Sequence, residues 1–215
     1  MTAKSYTQVS TYETCPAKFS FRYRDRIKSS RPKSPAAERG TLIHGSIENF
    51  MLNKAEHVHP EVTDYEDWLT DLKDGDAVPE FKWALNDMWE VVDYGAENAY
   101  IRGFIDLMYR DEDGVTGYEF KTGKRYPDHK AQVHLYSIAA RIHYDVDFIT
   151  VVTVYLDEMD NHTVTYEHSM ATDKYLWSSR IDKLDRDPYY APRPGPYCRW
   201  CDFAKGVGGL CQFGG

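Results

Sequence analysis

Residues 99–123 constrain this chain more than any other stretch. AYIRGFIDLMYR and VTGYEFKTG each alternate apolar with polar or small residues, and DEDG stands between the two runs. Alternation with a period of two sends successive side chains to opposite faces of a strand, and an Asp/Gly break between two such runs reads as a hairpin turn. Glu119 and Lys121, two residues apart, therefore share a face. A turn of two or four residues sets Asp106 opposite Glu119 or Lys121, on that same face in either register. An odd-length turn breaks the arrangement. Cross-strand neighbours have Cβ atoms roughly 4.5–5.5 Å apart, so two carboxylates and an ammonium converge on one point.

That grouping suits metal-assisted chemistry. Hard divalent cations take oxygen ligands and commonly use one or two carboxylates, leaving the rest of the shell to water and substrate phosphate. The bound ion acidifies a water and offsets charge on phosphoryl oxygens, and a lysine nearby orients that water or stabilises the developing charge. The plainer reading is a surface hairpin whose charges form a salt bridge; E-x-K by itself carries little information.

Around the hairpin the pattern predicts helices. Residues 5–15 read as a short helix, halted where Pro16 follows Cys15. Lys18–Ile27 alternates aromatic with basic residues and is expected to be extended or irregular, and residues 29–35 read as a linker. A helix is expected over 36–54, with Leu42, Ile43, Ile47, Phe50 and Met51 as its apolar stripe. Residues 57–79 are acidic and poorly periodic, and a second helix is expected over 80–93. A helix over 128–143 carries Ala131, Leu135, Ile138, Ala139 and Ile142 on one face. DFITVVTVYLD and NHTVTYEH read as another hairpin, residues 171–186 as a last helix, and 187–196 as a Pro-rich linker before a cysteine-containing tail. The sum is an α/β fold, a sheet with flanking helices, read as one domain over residues 1–215 with segments 1–35, 36–186 and 187–215.

Composition limits the function classes. A hydrophobic share of 42% over 215 residues supports a packed core. The formal net charge of −8 argues against a general nucleic-acid binder. Charge is nonetheless uneven: Lys18, Arg22, Arg24, Arg26, Lys28, Arg31 and Lys33 cluster near the N-terminus, and acids dominate residues 61–80. These are either two solvated surfaces or a basic strand-guiding arm with an acidic stretch remote from it. No apolar run reaches the roughly 18 residues that span a bilayer, and the N-terminus has no signal-peptide apolar region, so a soluble cytoplasmic protein is expected. In that compartment Cys15, Cys198, Cys201 and Cys211 point to a metal site rather than to two disulfides.

Two further pairs stand at i, i+4 on predicted helices: His44 with Glu48, and Gln132 with Tyr136. The first spacing suits a metal, although a helical histidine is more often a partly buried side chain. The second pair lies beside an apolar stripe, where polar edge residues are common.

Taken in order, TYETCPAKFSFRY, RGTLIHGSIE, GFIDL, YEFKTGK, QVHLY and the terminal cysteines resemble the RecB-like branch of the PD-(D/E)xK nucleases. That branch includes CRISPR-adaptation exonucleases with iron–sulfur clusters and related phage exonucleases. The resemblance covers most of the chain apart from the acidic segment. It implies a restriction-endonuclease-like core with a central mixed sheet and a Mg²⁺- or Mn²⁺-dependent deoxyribonuclease, more an exonuclease than an endonuclease. His44, Asp106, Glu119 and the Phe120 carbonyl would ligate the metal, Lys121 would serve the attacking water, and Gln132 and Tyr136 would match a Q-x-x-x-Y signature beside the site. Cys15, Cys198, Cys201 and Cys211 would hold a [4Fe–4S] cluster joining the two ends of the chain; Zn²⁺ is the chemical alternative. The long Cys201–Cys211 gap, with Gly206, Gly208 and Gly209, departs from the branch's usual spacing. The expected substrate is single-stranded DNA or DNA ends, in phage or prokaryotic recombination, repair or CRISPR adaptation, with a protein partner from one of those systems. The competing reading keeps the fold as a catalytically inactive DNA-binding or partner-recruiting module.

Overall fold

Two residues, Glu112 and Asp113, connect strand β2 (Ile101–Asp111) to β3 (Gly114–Lys121). The Asp111 carboxylate accepts the backbone N–H groups of Asp113 and Gly114. Gly114 has φ +139°, a conformation that L side chains rarely adopt. This even-length turn gives the register in which Leu107 faces Tyr118 and Asp111 faces Gly114. The computed structural model describes residues 3–29, 31–125, 129–167 and 169–214.

The chain divides into two compact units, one of residues 1–3 and 34–174 and the other of residues 4–33 and 175–215. The first is an α/β unit. Its mixed five-stranded sheet runs β1 (Asp76–Leu85), β2, β3, β4 (Ile149–Tyr155), β5 (Asp160–Tyr166), with β3 and β4 parallel and every other pair antiparallel. A parallel neighbour requires a crossover, which is supplied by helix α5 (His129–Tyr144). Helices α3 (Pro35–Met51) and α4 (Glu66–Lys73) cover the other face. There Ile43, Ile47 and Phe50 of α3 and Leu69 and Leu72 of α4 pack with Leu107, Phe120 and Val154 of the strands.

Three local expectations are corrected. Residues 80–93 do not form a helix. Residues 76–85 are β1, because Phe81, Trp83 and Leu85 bury side chains at strand spacing while Lys82 is exposed. The strand ends at a turn in which the Asn86 carboxamide accepts the N–H groups of Met88 and Glu90. Lys18–Ile27 is largely helical rather than extended: Pro16, free of any need for an N–H, opens α2 (Pro16–Phe19), which runs into a π-turn at Ser20–Arg24. Leu42, expected in the apolar stripe of α3, is 54% exposed.

In the second unit the two ends of the chain pack together. α1 (Tyr6–Thr14) presents Glu13 to Arg180 of α6 (Met170–Asp185) in two hydrogen bonds of 2.6 and 2.7 Å. Phe19 stacks on Tyr190 with ring centroids 5.7 Å apart, Lys4 pairs with Asp185, and Arg22 pairs with Asp202.

Candidate active site

Four elements of the α/β unit meet at Glu119. β3 supplies Glu119, Phe120 and Lys121; β2 supplies Asp106; α3 supplies His44; α5 supplies Gln132 and Tyr136. Phe120 buries its side chain in the core, so strand alternation turns Glu119 and Lys121 to the opposite face, beneath α5. The Phe120 N–H donates to Asp106 Oδ2 at 2.7 Å, and His44 Nδ1 lies 3.5 Å from the same oxygen. Lys121 Nζ donates to Glu119 Oε1 at 2.6 Å and to Gln132 Oε1 at 2.9 Å. The Gln132 amide donates to Glu119 Oε1 at 2.8 Å and to the Tyr136 hydroxyl at 2.7 Å. The i, i+4 spacing of Gln132 and Tyr136 lets the Gln132 amide bridge Glu119 and the Tyr136 hydroxyl.

Glu119 is only 3% exposed, and its Oε2 is buried without a hydrogen-bond partner. Burial, then the charge of Asp106, push its carboxyl up to about 7, with Lys121 and His44 pulling it back. Burial works against the Lys121 ammonium, but Glu119 and Asp106 outweigh it and hold the group above its ordinary value. His44 is likewise raised: burial opposes its charge, and the hydrogen bond and charge of Asp106 prevail.

Glu80 belongs to this neighbourhood and went unnoticed in the sequence. On β1 the pairs Pro79–Leu107 and Phe81–Ile105 flank it, so it stands opposite Asp106 at a point where the ladder is interrupted. Its φ is +48°, left-handed for a residue with a Cβ. Burial, then the charges of Asp106 and Glu48, raise its carboxyl. A strand reading of residues 76–85 would have found it, since it sets Glu80 across from Asp106. Glu48 bears on the site through this repulsion with Glu80.

The donor set has the right chemistry for a hard divalent cation: two clustered carboxylates, one with a buried unsatisfied oxygen, and an imidazole. As the side chains stand, no three His, Cys, Asp or Glu groups among the described residues are drawn together tightly enough to hold an ion. Asp106 is engaged by the Phe120 amide and Glu119 by Lys121 and Gln132.

In the second unit all four cysteines are free and half-buried, and all four line one cavity with Lys18, Phe21 and Tyr197. Backbone N–H groups of Arg193 and Gly195 point at the sulfurs of Cys15 and Cys198 at 3.4 and 3.3 Å. The glycines between Cys201 and Cys211 explain the long gap. Gly208 has φ +76°, and a Cβ on Gly209 would lie 2.2 Å from the Phe203 carbonyl carbon. The chain can therefore double back until the Cys211 N–H reaches the Phe203 carbonyl at 2.8 Å. Part of the basic stretch is consumed locally: Arg22 pairs with Asp202, Arg24 lies over the Tyr190 ring, and Arg31 binds the carbonyls of Arg199 and Cys201.

A mixed sheet that gathers a half-buried Asp106, a buried Glu119 and a half-buried Lys121 on one face of a β-hairpin is the arrangement of a class of nucleases. The chain belongs to the PD-(D/E)XK nuclease superfamily, which it matches over residues 3–93 and 79–205, and this membership supports a nuclease. Among solved structures it is similar to the crystal structure of SSO0001, at 16% identity and TM-score 0.53, covering 99% of this chain and 87% of that one. That similarity is one of fold. An alkaline exonuclease from Laribacter hongkongensis also matches, at 9% identity and TM-score 0.39, over 85% of this chain and 90% of that one. No curated protein sequence matches the chain. Among the described residues no helix is long and apolar enough to cross a membrane.

Proposed function

We propose that the protein is a Mg²⁺- or Mn²⁺-dependent deoxyribonuclease that degrades DNA from ends or along single strands. The observation that carries the reading is the convergence of Lys121 and Gln132 on the buried Glu119, beside Asp106 and His44. His44, Asp106, Glu119 and the Phe120 carbonyl would hold the cation. When bound, it would acidify a water and offset charge on the scissile phosphate.

The chain's own groups do the rest. Gln132 holds both partners of the Glu119–Lys121 pair, which keeps the ammonium aimed at the site as substrate arrives. Lys121 stays charged and donates toward the attacking water or the phosphoryl oxygens, rather than taking a proton from the water. Tyr136 remains a neutral hydroxyl, because burial and then the charge of Glu119 raise it well above its ordinary value. It can therefore orient the Gln132 amide without competing for charge.

The exonucleolytic mode rests on the motif order shared with the RecB-like branch. The same resemblance, with four thiols lining one cavity and two of them facing backbone N–H groups, supports a [4Fe–4S] cluster in preference to Zn²⁺. The test is degradation of single- and double-stranded DNA labelled at either end, with Mn²⁺ and with EDTA. Mn²⁺-dependent loss of end label in small products is expected. Cleavage unaffected by EDTA would overturn the metal reading, and binding without cleavage would leave a catalytically inactive module.

A further inference from the structure

The face that carries Glu119 and Lys121 does not end at β3. In the parallel pairing Glu119 lies beside Thr153 and Lys121 beside Tyr155; in the next pairing Thr153 lies beside His162. Alternation therefore keeps Tyr155 and His162 on the same face as Lys121. There, against the first turns of α5, is a pocket of about 560 Å³, within the range typical of small-ligand sites. Arg125, His129, Lys130 and His162 supply its polar lining, and Val133, Val164 and Tyr166, beside the covered Tyr155 ring, its apolar floor. Among the described residues that line it there is no carboxylate.

The polar lining is not uniformly available. Arg125 is engaged by Glu158 and Asp160 and lies over the Tyr155 ring, and His129 stacks on Tyr155 and reaches its hydroxyl at 3.2 Å. Lys130 is exposed and His162 half-buried, so these two are the groups best placed to meet a ligand. An apolar floor with a nitrogen-rich polar lining fits a ligand with a flat apolar body and a negative group. The pocket lies one to two strand spacings from Lys121, roughly 5–10 Å, close enough for the nucleotide beside the one being cut.

We infer that this pocket holds one nucleotide of the substrate strand, next to the scissile bond, its phosphate against Lys130 and His162 and its base over the floor. The inference rests on the nuclease reading and gives it a direction, since DNA would run from β3 across β4 and β5. The grip is on phosphate and on the apolar face of a base, so it tolerates any sequence.

The test uses the full chain and the double variant Lys130→Ala/His162→Ala. Both positions lie outside the Glu119 cluster, and unchanged thermal unfolding would show that the fold is kept. With Mn²⁺, cleavage of a thymidine oligonucleotide should show KM raised about ten-fold, the size of losing a charge-assisted contact or two, with kcat within about two-fold. Bis(p-nitrophenyl) phosphate, which has no neighbouring nucleotide, should be cleaved equally by both proteins. Oligonucleotide affinity measured by anisotropy with Ca²⁺ should lose salt dependence, by about one in slope per phosphate contact. Unchanged KM and salt slope in the variant, or equal losses on both substrates, would overturn the pocket assignment. A parent that cleaves neither substrate, but whose oligonucleotide affinity falls in the variant, would instead overturn the nuclease reading and leave the pocket standing.

Discussion

At Glu119 the fold works against its own side chain. The carboxyl ionises near 4.5 in an unfolded chain and is pushed up to about 7 in the folded one by burial and by Asp106. Between those values the folded state binds the proton more tightly, so this group's contribution to stability falls as pH rises. The raised Glu80 and His44 groups act in the same direction, since each is also more easily protonated when folded. Lys121, raised as well, adds stability that is lost only above the ordinary lysine range, outside this window. Cation-free protein should therefore lose thermal stability from about pH 5 to about pH 7, and Glu119→Gln should flatten that slope. A slope identical in the variant and the parent would mean that Glu119 is not the group. A divalent cation should raise the unfolding temperature more at the upper end of the range, because ligands must be deprotonated to bind it. In catalysis, Asp106→Ala should abolish Mn²⁺-dependent cleavage while DNA binding largely survives. Lys121→Ala should cut kcat by about 10²–10³-fold, the usual cost of one electrostatic stabiliser, while keeping metal affinity. Asp106→Ala cleaving at the parent's rate would remove the site assignment.

Strand β1 carries strain at the point where it meets the site. Glu80 holds φ +48° opposite Asp106, a conformation costing roughly 1–2 kcal/mol for a residue with a Cβ and almost nothing for glycine. Glu80→Gly should stabilise the cation-free protein by about 1 kcal/mol after the larger unfolded-state entropy of glycine is counted. Glu80→Ala, which loses the charge but keeps the strain, should gain less. Urea unfolding of the two variants in EDTA decides this, and an alanine variant as stable as the glycine one would refute strain at this position. The same strand marks the limit of what was legible in the sequence. β2, the turn and β3 could be read because either even-length turn puts Asp106 on the face of Glu119 and Lys121, and the two-residue Glu112–Asp113 connection then selects the register that sets it opposite Glu119. α3 and α5 were legible from their apolar spacing. β1 was not: PEFKWALNDMWEVVD satisfies helical and strand periods about equally, and pairing with β2 decides between them. Pro16 misled for a related reason, since the residue that blocks one helix interior is favoured at the first position of the next. The nucleotide-sized pocket depends on β4, β5 and α5 together, so no single segment of the sequence could announce it.

At the scale of the whole molecule, the two ends of the chain meet in one unit, held by Glu13–Arg180, Lys4–Asp185 and the Phe19–Tyr190 stack. Within it Cys15 comes from one end, and Cys198, Cys201 and Cys211 from the other, all on one cavity. A metal centre there would close a loop through nearly the entire chain, and a closed loop limits the unfolded state more the longer it is. The four thiols should therefore matter to stability well beyond the contacts they make. Protein purified without oxygen should be brown and contain iron. Cys15→Ser and Cys198→Ser should each bleach it and lower the unfolding temperature by several degrees, as expected for a loss of one to two kcal/mol in a chain of this size. A change confined to one end should do as much harm as a change at the other, because either one opens the same loop. Zinc without iron would replace the cluster with a Cys₄ site and keep the loop argument. Neither metal would end it, and the Glu119 site, built wholly from the other unit, would be untouched by that result.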